Sequence, residues 1–381
     1  MPAEENNEHL ASCLQFDLQP GFCACLRGPG HLRITAGIAS LFGSALQAFA
    51  EIQLREYVVY PLETDKGASF EYKTTSSGHV VHRGTGIPRE WKEHANIIAN
   101  SPSGQAILVV GAVDCGKSSF ITYLANTLLQ RFEGPVAVID TDVGQSKIGP
   151  PGTIGLGLAT KPFIGVEDIQ IEAIHFIGDK SPRGNLLPII LGLNSLIQAA
   201  RSVHPHAILV DTSGFVVGPA AAALKLAKVE IVAPQWIVGL QQNDEMQQFL
   251  NSCKMISKIL HCEVPQRLQP VSHEVRIARR RRGWRSLKFE SEFFLQVDEM
   301  GLLGSPFSFF EPAKSELTQQ LEEILGPCLV SRLPDRISVL FRGAFPNEDI
   351  FYLAKQFNSV IAGYPVMDFQ HHYVGLLNET F

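Results

Sequence analysis

The residues with the clearest chemical potential lie between 111 and 119. Gly111-Ala112-Val113-Asp114-Cys115-Gly116-Lys117-Ser118 fits the pattern GxxxxGK[ST], and Ser119 comes next. The glycines let the backbone wrap so that its N–H groups face a β-phosphate. Lys117 can reach the β- and γ-oxygens, and the Ser118 hydroxyl can ligate Mg²⁺. A helix that starts here adds the positive end of its dipole. Residues 111–119 are therefore the expected loop for a nucleoside triphosphate, with Cys115 as a small filler residue.

Two apolar runs end in aspartate. One reads Val138-Ile139-Asp140-Thr141-Asp142-Val143-Gly144-Gln145 and the other Leu209-Val210-Asp211-Thr212-Ser213-Gly214-Phe215. Phosphoryl transfer needs an acidic group to hold the Mg²⁺ shell, and a kinase needs another to accept the proton of the attacking hydroxyl. Three aspartates suffice for both roles, and spacing alone does not assign them. One of them could instead cap a turn. Asp211-Thr212-Ser213-Gly214 also has the DxxG form of GTPases. The comparable later stretch, Gly239-Leu240-Gln241-Gln242-Asn243-Asp244, lacks the Asn-Lys-x-Asp loop that reads guanine.

A third feature is a cluster of cations. Seven of the thirteen residues from Arg276 to Lys288 are basic and none is acidic. Arg281 and Arg285 stand at i,i+4 and share a helix face. Such a segment could close over transferring phosphates, hold a nucleic-acid backbone, or be a solvated basic face.

These groups need a frame. From about 93 to 300, strand-length apolar runs (106–110, 136–139, 207–210, 236–240) alternate with segments of helical spacing (118–131, 188–201). Continuous apolar strands imply a parallel sheet buried on both faces, with ligand loops at the strands' carboxyl ends. The fold class expected is α/β: a P-loop NTPase domain with helices on both faces of the sheet. Residues 1–92 read as a small N-terminal β domain, with short runs such as 32–36 and 57–60 between Gly/Pro turns. Residues 301–381 read as a small C-terminal domain with a helix near 315–325 and a strand near 336–341. His371-His372 is expected to be a surface or strand pair rather than a metal site, since no third ligand has suitable spacing.

Composition sets the outer bounds. The chain has 381 residues, 45% hydrophobic and 18% charged, with a net charge of −6. That excludes disorder as the dominant state and a global basic field. No apolar run is long enough to span a membrane, and residues 1–8 do not read as a signal peptide. The seven cysteines form no CxxC pair. This pattern fits reduced thiols rather than a disulfide or zinc framework, in a cytoplasmic protein (nuclear if eukaryotic).

The combination resembles the polynucleotide 5′-hydroxyl kinases related to the kinase subunit of the eukaryotic pre-mRNA cleavage factor and to the ribosomal-RNA-processing kinases. The stretches that carry the resemblance are GxxDxGKS at 111–118, Asp140-Thr141-Asp142-Val143-Gly144-Gln145-Ser146 with Gly149-Pro150-Pro151-Gly152-Thr153, residues 176–184, Thr212-Ser213-Gly214-Phe215 and the arginine segment. The resemblance implies transfer of the ATP γ-phosphate to the 5′-hydroxyl of RNA or DNA, with Mg²⁺ and with RNA-processing protein partners. It implies Lys117, Asp142, Gln145, Arg281 and Arg285 as the catalytic set, with residues 111–119 on ATP. Ser118, Asp140 and Asp142 would hold the metal. The family's TxGW clamp is TSGF here, so Thr212, Gly214 and Phe215 are the expected substrate contacts, with Phe215 stacking on a base. The alternatives are an ATP-holding structural subunit without turnover and a GTPase or small-molecule kinase.

Overall fold

The structure is a computed structural model that describes residues 12–74, 79–265, 271–285, 302–303, 315–326, 328–332, 336–341, 354–356, 360–365 and 375–376. The chain divides into two compact units, one of residues 1–175 with 181–287 and one of 176–180 with 288–381.

The first unit begins with an antiparallel β sheet. Its strands are β1 (Ser12–Leu18), β2 (Phe22–Arg27), β3 (Gly30–Leu41), β4 (Ser44–Gln47), β5 (Glu51–Leu54), β6 (Val59–Glu63), β7 (Ala68–Thr74) and β8 (His79–Arg83). The order is β1-β7-β3-β6-β2-β8, with β4 and β5 each paired with β3. Alternation sets the inner face: β7 buries Ala68, Phe70, Tyr72 and Thr74 and turns the intervening residues outward.

The phosphate-loop sheet comes next in the same unit. Its elements are α1 (Arg89–Ala99), β9 (Gln105–Gly111), α2 (Lys117–Arg131), β10 (Val136–Thr141), β11 (Thr153–Ala159), β12 (Gln170–Phe176), α3 (Leu186–Ser202), β13 (Ala207–Thr212), α4 (Pro219–Val232), β14 (Trp236–Gln241), α5 (Gln247–Cys253), β15 (Lys258–Glu263) and α6 (His273–Arg285). The strand order is β12-β11-β10-β13-β9-β14-β15. The strands from β10 to β15 pair in parallel, and β11 runs antiparallel to β10. Every residue of β9, β10 and β13 is buried, because helices cover both faces. The antiparallel β11 was not legible from the apolar runs. Four of its seven residues are Thr, Gly or Ala, and Gly155 and Gly157 sit where a Cβ would strike Ile148 and Ile169.

The two sheets share one core. Trp91 of α1 packs edge-on against Phe120 of α2, with ring centroids 5.3 Å apart. Asn126 of α2 is wholly buried and donates to the carbonyls of Phe42, on the N-terminal side, and Phe163. The same cluster of buried side chains runs from Leu26 and Tyr72 to Leu209 and Val238.

The second unit contains β16 (Leu302–Leu303), α7 (Glu316–Leu325), β17 (Cys328–Arg332), β18 (Arg336–Phe341), β19 (Val360–Pro365) and β20 (Gly375–Leu376). Ser315 caps α7 by accepting from the Thr318 N–H, and Leu317, Leu321 and Leu325 pack on Val330, Ile337 and Val339. His371-His372 lies outside the described residues.

Candidate active site

The phosphate loop joins the end of β9 to the start of α2. Gly116 caps α2 with φ of 96°, a conformation that favours glycine. Asp114 also has a positive φ, 57°. Lys117 is buried, and its Nζ donates to the carbonyls of Gly111 (3.1 Å) and Ala112 (2.6 Å). Gly214 explains why the loop after β13 must be small. A Cβ there would lie 2.6 Å from the backbone N and Cα of Val113, so a side chain would push the phosphate loop aside.

Beneath this loop, Asp140 and Asp211 stand in register on the neighbouring strands β10 and β13. Asp211 accepts the Ser118 hydroxyl through Oδ2, while its Oδ1 is buried with no partner among the described residues. Asp140 is enclosed differently. Its Oδ1 accepts from the Asp142 N–H (2.9 Å) and its Oδ2 from the Lys147 N–H (2.6 Å). Burial, and then the charges of Asp211 and Asp142, push its carboxyl up to about 7, against the pull of Lys147. Asp142 accepts from the Gly144 and Gln145 N–H groups and lines the cleft beside Gln145.

Lys147 converges on the same point. Its Nζ donates to the Ser118 hydroxyl. Burial alone would lower its pKa, but Asp211, Glu167, Asp140 and Asp142 hold it above the ordinary lysine range. Two further lysines of α4 approach from below. Lys228 donates to Thr141 Oγ1 (2.6 Å), and Lys225 donates to the Ser213 carbonyl (3.2 Å). Burial pushes Lys228 down to about 8 and Lys225 well below its usual value.

The third wall is the arginine helix α6. Arg276 pairs with Asp114 of the phosphate loop at 2.6 Å, and the Val271 N–H donates to the same carboxylate oxygen. Arg282 pairs with Glu56, Arg279 donates to the Tyr57 carbonyl, and Arg280 reaches the Gly144 carbonyl at 3.4 Å. Gly283 closes on Pro151, where an added Cβ would sit 3.0 Å from the ring. The helix thus contacts the N-terminal sheet, the phosphate loop and the loop after β10. Together they enclose a cleft of about 800 Å³, lined by Lys117, Ser118, Asp142, Gln145, Lys147, Asp211, Arg279, Arg280 and Arg282 among others. Convergent cations, a phosphate loop and carboxylates in one cleft suit the transfer of a phosphoryl group.

Residues 111–289 match the sequence model of the mRNA cleavage and polyadenylation factor CLP1 P-loop. Over these residues the chain is similar to that family. The chain is also similar to proteins named polyribonucleotide 5′-hydroxyl-kinase from two archaea. The Thermococcus kodakarensis protein is 28% identical over 246 residues, 64% of this chain and 69% of that protein. The Pyrococcus abyssi protein is 32% identical over 206 residues, 54% of this chain and 56% of that protein. The matched part thus spans about half to two thirds of those relatives. Among solved structures, the fold resembles Clp1p in its complex with Pcf11p, with a TM-score of 0.59 at 14% identity, covering 72% of each chain.

Within residues 111–289 the structure gathers most of the sequence-expected residues and separates a few. Val113, Asp114, Cys115, Gly116, Lys117, Ser118 and Ser119 line the cleft with Asp142, Gln145 and Thr212. Asp140 does not line it and instead ties its own loop together. Thr212 also bonds the Val109 carbonyl, which fixes it in the sheet. Phe215 is absent from the cleft lining among the described residues, and the Arg183 guanidinium stands 5.6 Å over its ring. Arg281 is exposed, and its neighbours Arg279, Arg280 and Arg282 line the cleft. The Arg285 side chain lies outside the described residues. Sequence reasoning left out Lys147, the residue after the GQS stretch, and gave Asp211 no settled role. An inward-facing lysine had no signal beyond its place next to a recognised motif.

Proposed function

We propose that this chain is an ATP- and Mg²⁺-dependent polynucleotide 5′-hydroxyl kinase acting on RNA ends. The observation that carries the proposal is one cleft holding the phosphate loop, Asp142 and three arginines of α6. The relatives named polyribonucleotide 5′-hydroxyl-kinase support the choice of acceptor.

In the proposed reaction the 5′-oxygen attacks the γ-phosphorus, the bond from that phosphorus to the β,γ-bridging oxygen breaks, and ADP leaves. Asp142 takes the hydroxyl proton, its carboxylate aimed by the Gly144 and Gln145 amides. Lys117 swings from the Gly111 and Ala112 carbonyls to the phosphate oxygens. Arg279 and Arg282 stabilise charge that develops on the transferring group, while Arg280 braces the loop after β10 at the Gly144 carbonyl. The donor set fits a hard divalent cation: Ser118 Oγ touches Asp211, whose second oxygen is buried without a partner among the described residues. Ser118 and Asp211 would hold Mg²⁺, with Asp142 facing the same space. Bound there, the ion would neutralise charge on the β- and γ-oxygens. Lys147 would then yield Ser118 to the ion.

Transfer of label from γ-labelled ATP to a 5′-hydroxyl RNA tests the reading, with a 5′-phosphorylated RNA and a DNA version alongside. Label on 5′-hydroxyl strands alone is expected, and Lys117→Ala or Asp142→Asn should abolish it with the fold intact. ATP bound tightly with no strand labelled would move the reading to a nucleotide-holding subunit of an RNA-processing complex. The fold neighbour Clp1p is in complex with Pcf11p, which supports a protein partner in that reading.

A further inference from the structure

A second cluster of metal-seeking side chains lies on the N-terminal sheet. Cys23 and Cys25 are two residues apart on β2, so both side chains leave the same face of the strand. His82 on β8 is the antiparallel register partner of Cys23. One ligand atom from each of the three lies within 4.8 Å of the others, and among the described residues no other trio of such groups does so.

We propose that Cys23, Cys25 and His82 form a zinc site that staples β2 to the edge strand β8. The distances are those of a tetrahedral centre before its ion arrives. Zn–S bonds of about 2.3 Å and Zn–N bonds of about 2.0–2.1 Å at tetrahedral angles require S···S of about 3.8 Å and S···N of about 3.6 Å. The Cys23 and Cys25 sulfurs are 4.0 Å apart, and Cys25 Sγ lies 3.6 Å from His82 Nε2.

The histidine is set in the right tautomer. Its Nδ1 lies 3.1 Å from the Arg83 carbonyl, which can only accept, so Nδ1 carries the proton. In the neutral ring Nε2 then holds the lone pair, on the side that faces Cys25. This is how metal-bound imidazoles are oriented, by a carbonyl or carboxylate on the far nitrogen. Gly86 makes room for the inner sulfur, since a Cβ there would sit 2.5 Å from Cys23 Sγ. Glu63, the partner of Cys23 on β6, is held by the Gly86 and Ile87 amides and Lys92. It balances charge near the site without being drawn in as a ligand.

Two soft sulfurs and one imidazole select zinc over the hard Mg²⁺ of the phosphate cleft. Cys23 is wholly buried, whereas Cys25 and His82 are half-exposed, so the fourth position is open to water. Zinc binding would turn both sulfurs into thiolates and release their protons. The site does not depend on the kinase reading.

The test is Co²⁺ titration of the full chain, reduced and stripped of metal, followed by displacement with Zn²⁺. One Co²⁺ per chain is expected, with a thiolate-to-cobalt charge-transfer band and tetrahedral d–d absorption that Zn²⁺ abolishes. Cys25→Ser and His82→Ala, both at half-exposed positions, should weaken Zn²⁺ binding at least tenfold with the circular dichroism unchanged. Cys13→Ser, at an exposed cysteine on β1, should bind as the parent does. Absence of the charge-transfer band, equal binding by Cys25→Ser, or a Cys23–Cys25 disulfide in the mass of the unreduced chain would each overturn the proposal.

Discussion

Strands β10 and β13 end alike, and the loops after them differ. Both strands end in Asp-Thr, and the two pairs are in parallel register, Asp140 with Asp211 and Thr141 with Thr212. Each threonine bonds a neighbouring strand's carbonyl, and each accepts from a buried lysine of α4. The aspartates nonetheless do opposite things. Asp140 spends its oxygens on the amides of its own loop, whereas Asp211 faces Ser118 and keeps one oxygen without a partner among the described residues. The residues just beyond each Asp-Thr pair make the difference. The loop from Asp142 to Lys147 returns its amides to Asp140, while Gly214 lies against Val113 of the phosphate loop. Identical side chains at equivalent strand ends are thus a holder of the loop and a candidate holder of the ion.

The sharpest way to break this contrast is to remove each charge in turn. Asp211→Asn should lower single-turnover phosphoryl transfer on the order of 10²–10³-fold, the scale of losing one electrostatic contact to the transition state. Asp140→Asn should lower it less than tenfold. Equal losses would erase the distinction. Gly214→Ala probes the loop after β13, and its Cβ would displace Val113. An increase in KM for ATP of roughly tenfold is expected, since one misplaced cradle contact costs about a kcal/mol or more. An unchanged KM would show that the phosphate loop tolerates the shift.

Smaller effects test the loop after β10. Arg280 bonds the Gly144 carbonyl at 3.4 Å, a long contact. Arg280→Ala should therefore reduce kcat only several-fold, in line with roughly 0.5–1.5 kcal/mol for one hydrogen bond. A loss of a hundredfold would place Arg280 on the transferring phosphate itself. The last test is thermodynamic. The Asp140 carboxyl is pushed up to about 7 in the folded chain from 3.8, so its contribution to stability is complete below pH 3.8 and lost as the pH rises through about 7. Urea unfolding of the parent and Asp140→Asn should show the parent's relative stability falling across that window. A flat difference would mean that Asp140 stays ionised when folded.

Much of this was legible in the residue order. The phosphate loop, the parallel strands and the arginine helix all announce themselves by local pattern. Three things did not. The i,i+4 rule singled out Arg281 and Arg285. Arg281 is exposed and the Arg285 side chain lies outside the described residues, while Arg279, Arg280 and Arg282 line the cleft, because docking on Glu56 and Tyr57 sets the helix's rotation. Lys147 turns inward because Asp140 captures its backbone N–H. The seven cysteines are all free, as reduced thiols would be, but the absence of CxxC gave no view of His82, which meets Cys23 through strand pairing 59 residues away. Each of these is a contact made by tertiary structure between segments that carry no mutual signature.

The single core shared by the N-terminal sheet and the phosphate-loop sheet has a consequence for how the protein melts. Asn126 links α2 to Phe42, and the buried side chains of the two sheets pack into one continuous cluster. The two sheets therefore unfold as one cooperative block. A nucleotide that grips only the native phosphate loop must, by mass action, also slow hydrogen exchange at amides such as those of Leu32 and Tyr72, which sit in the N-terminal sheet. Binding energy gained at one end of the block is felt as protection at the other, with no movement between them.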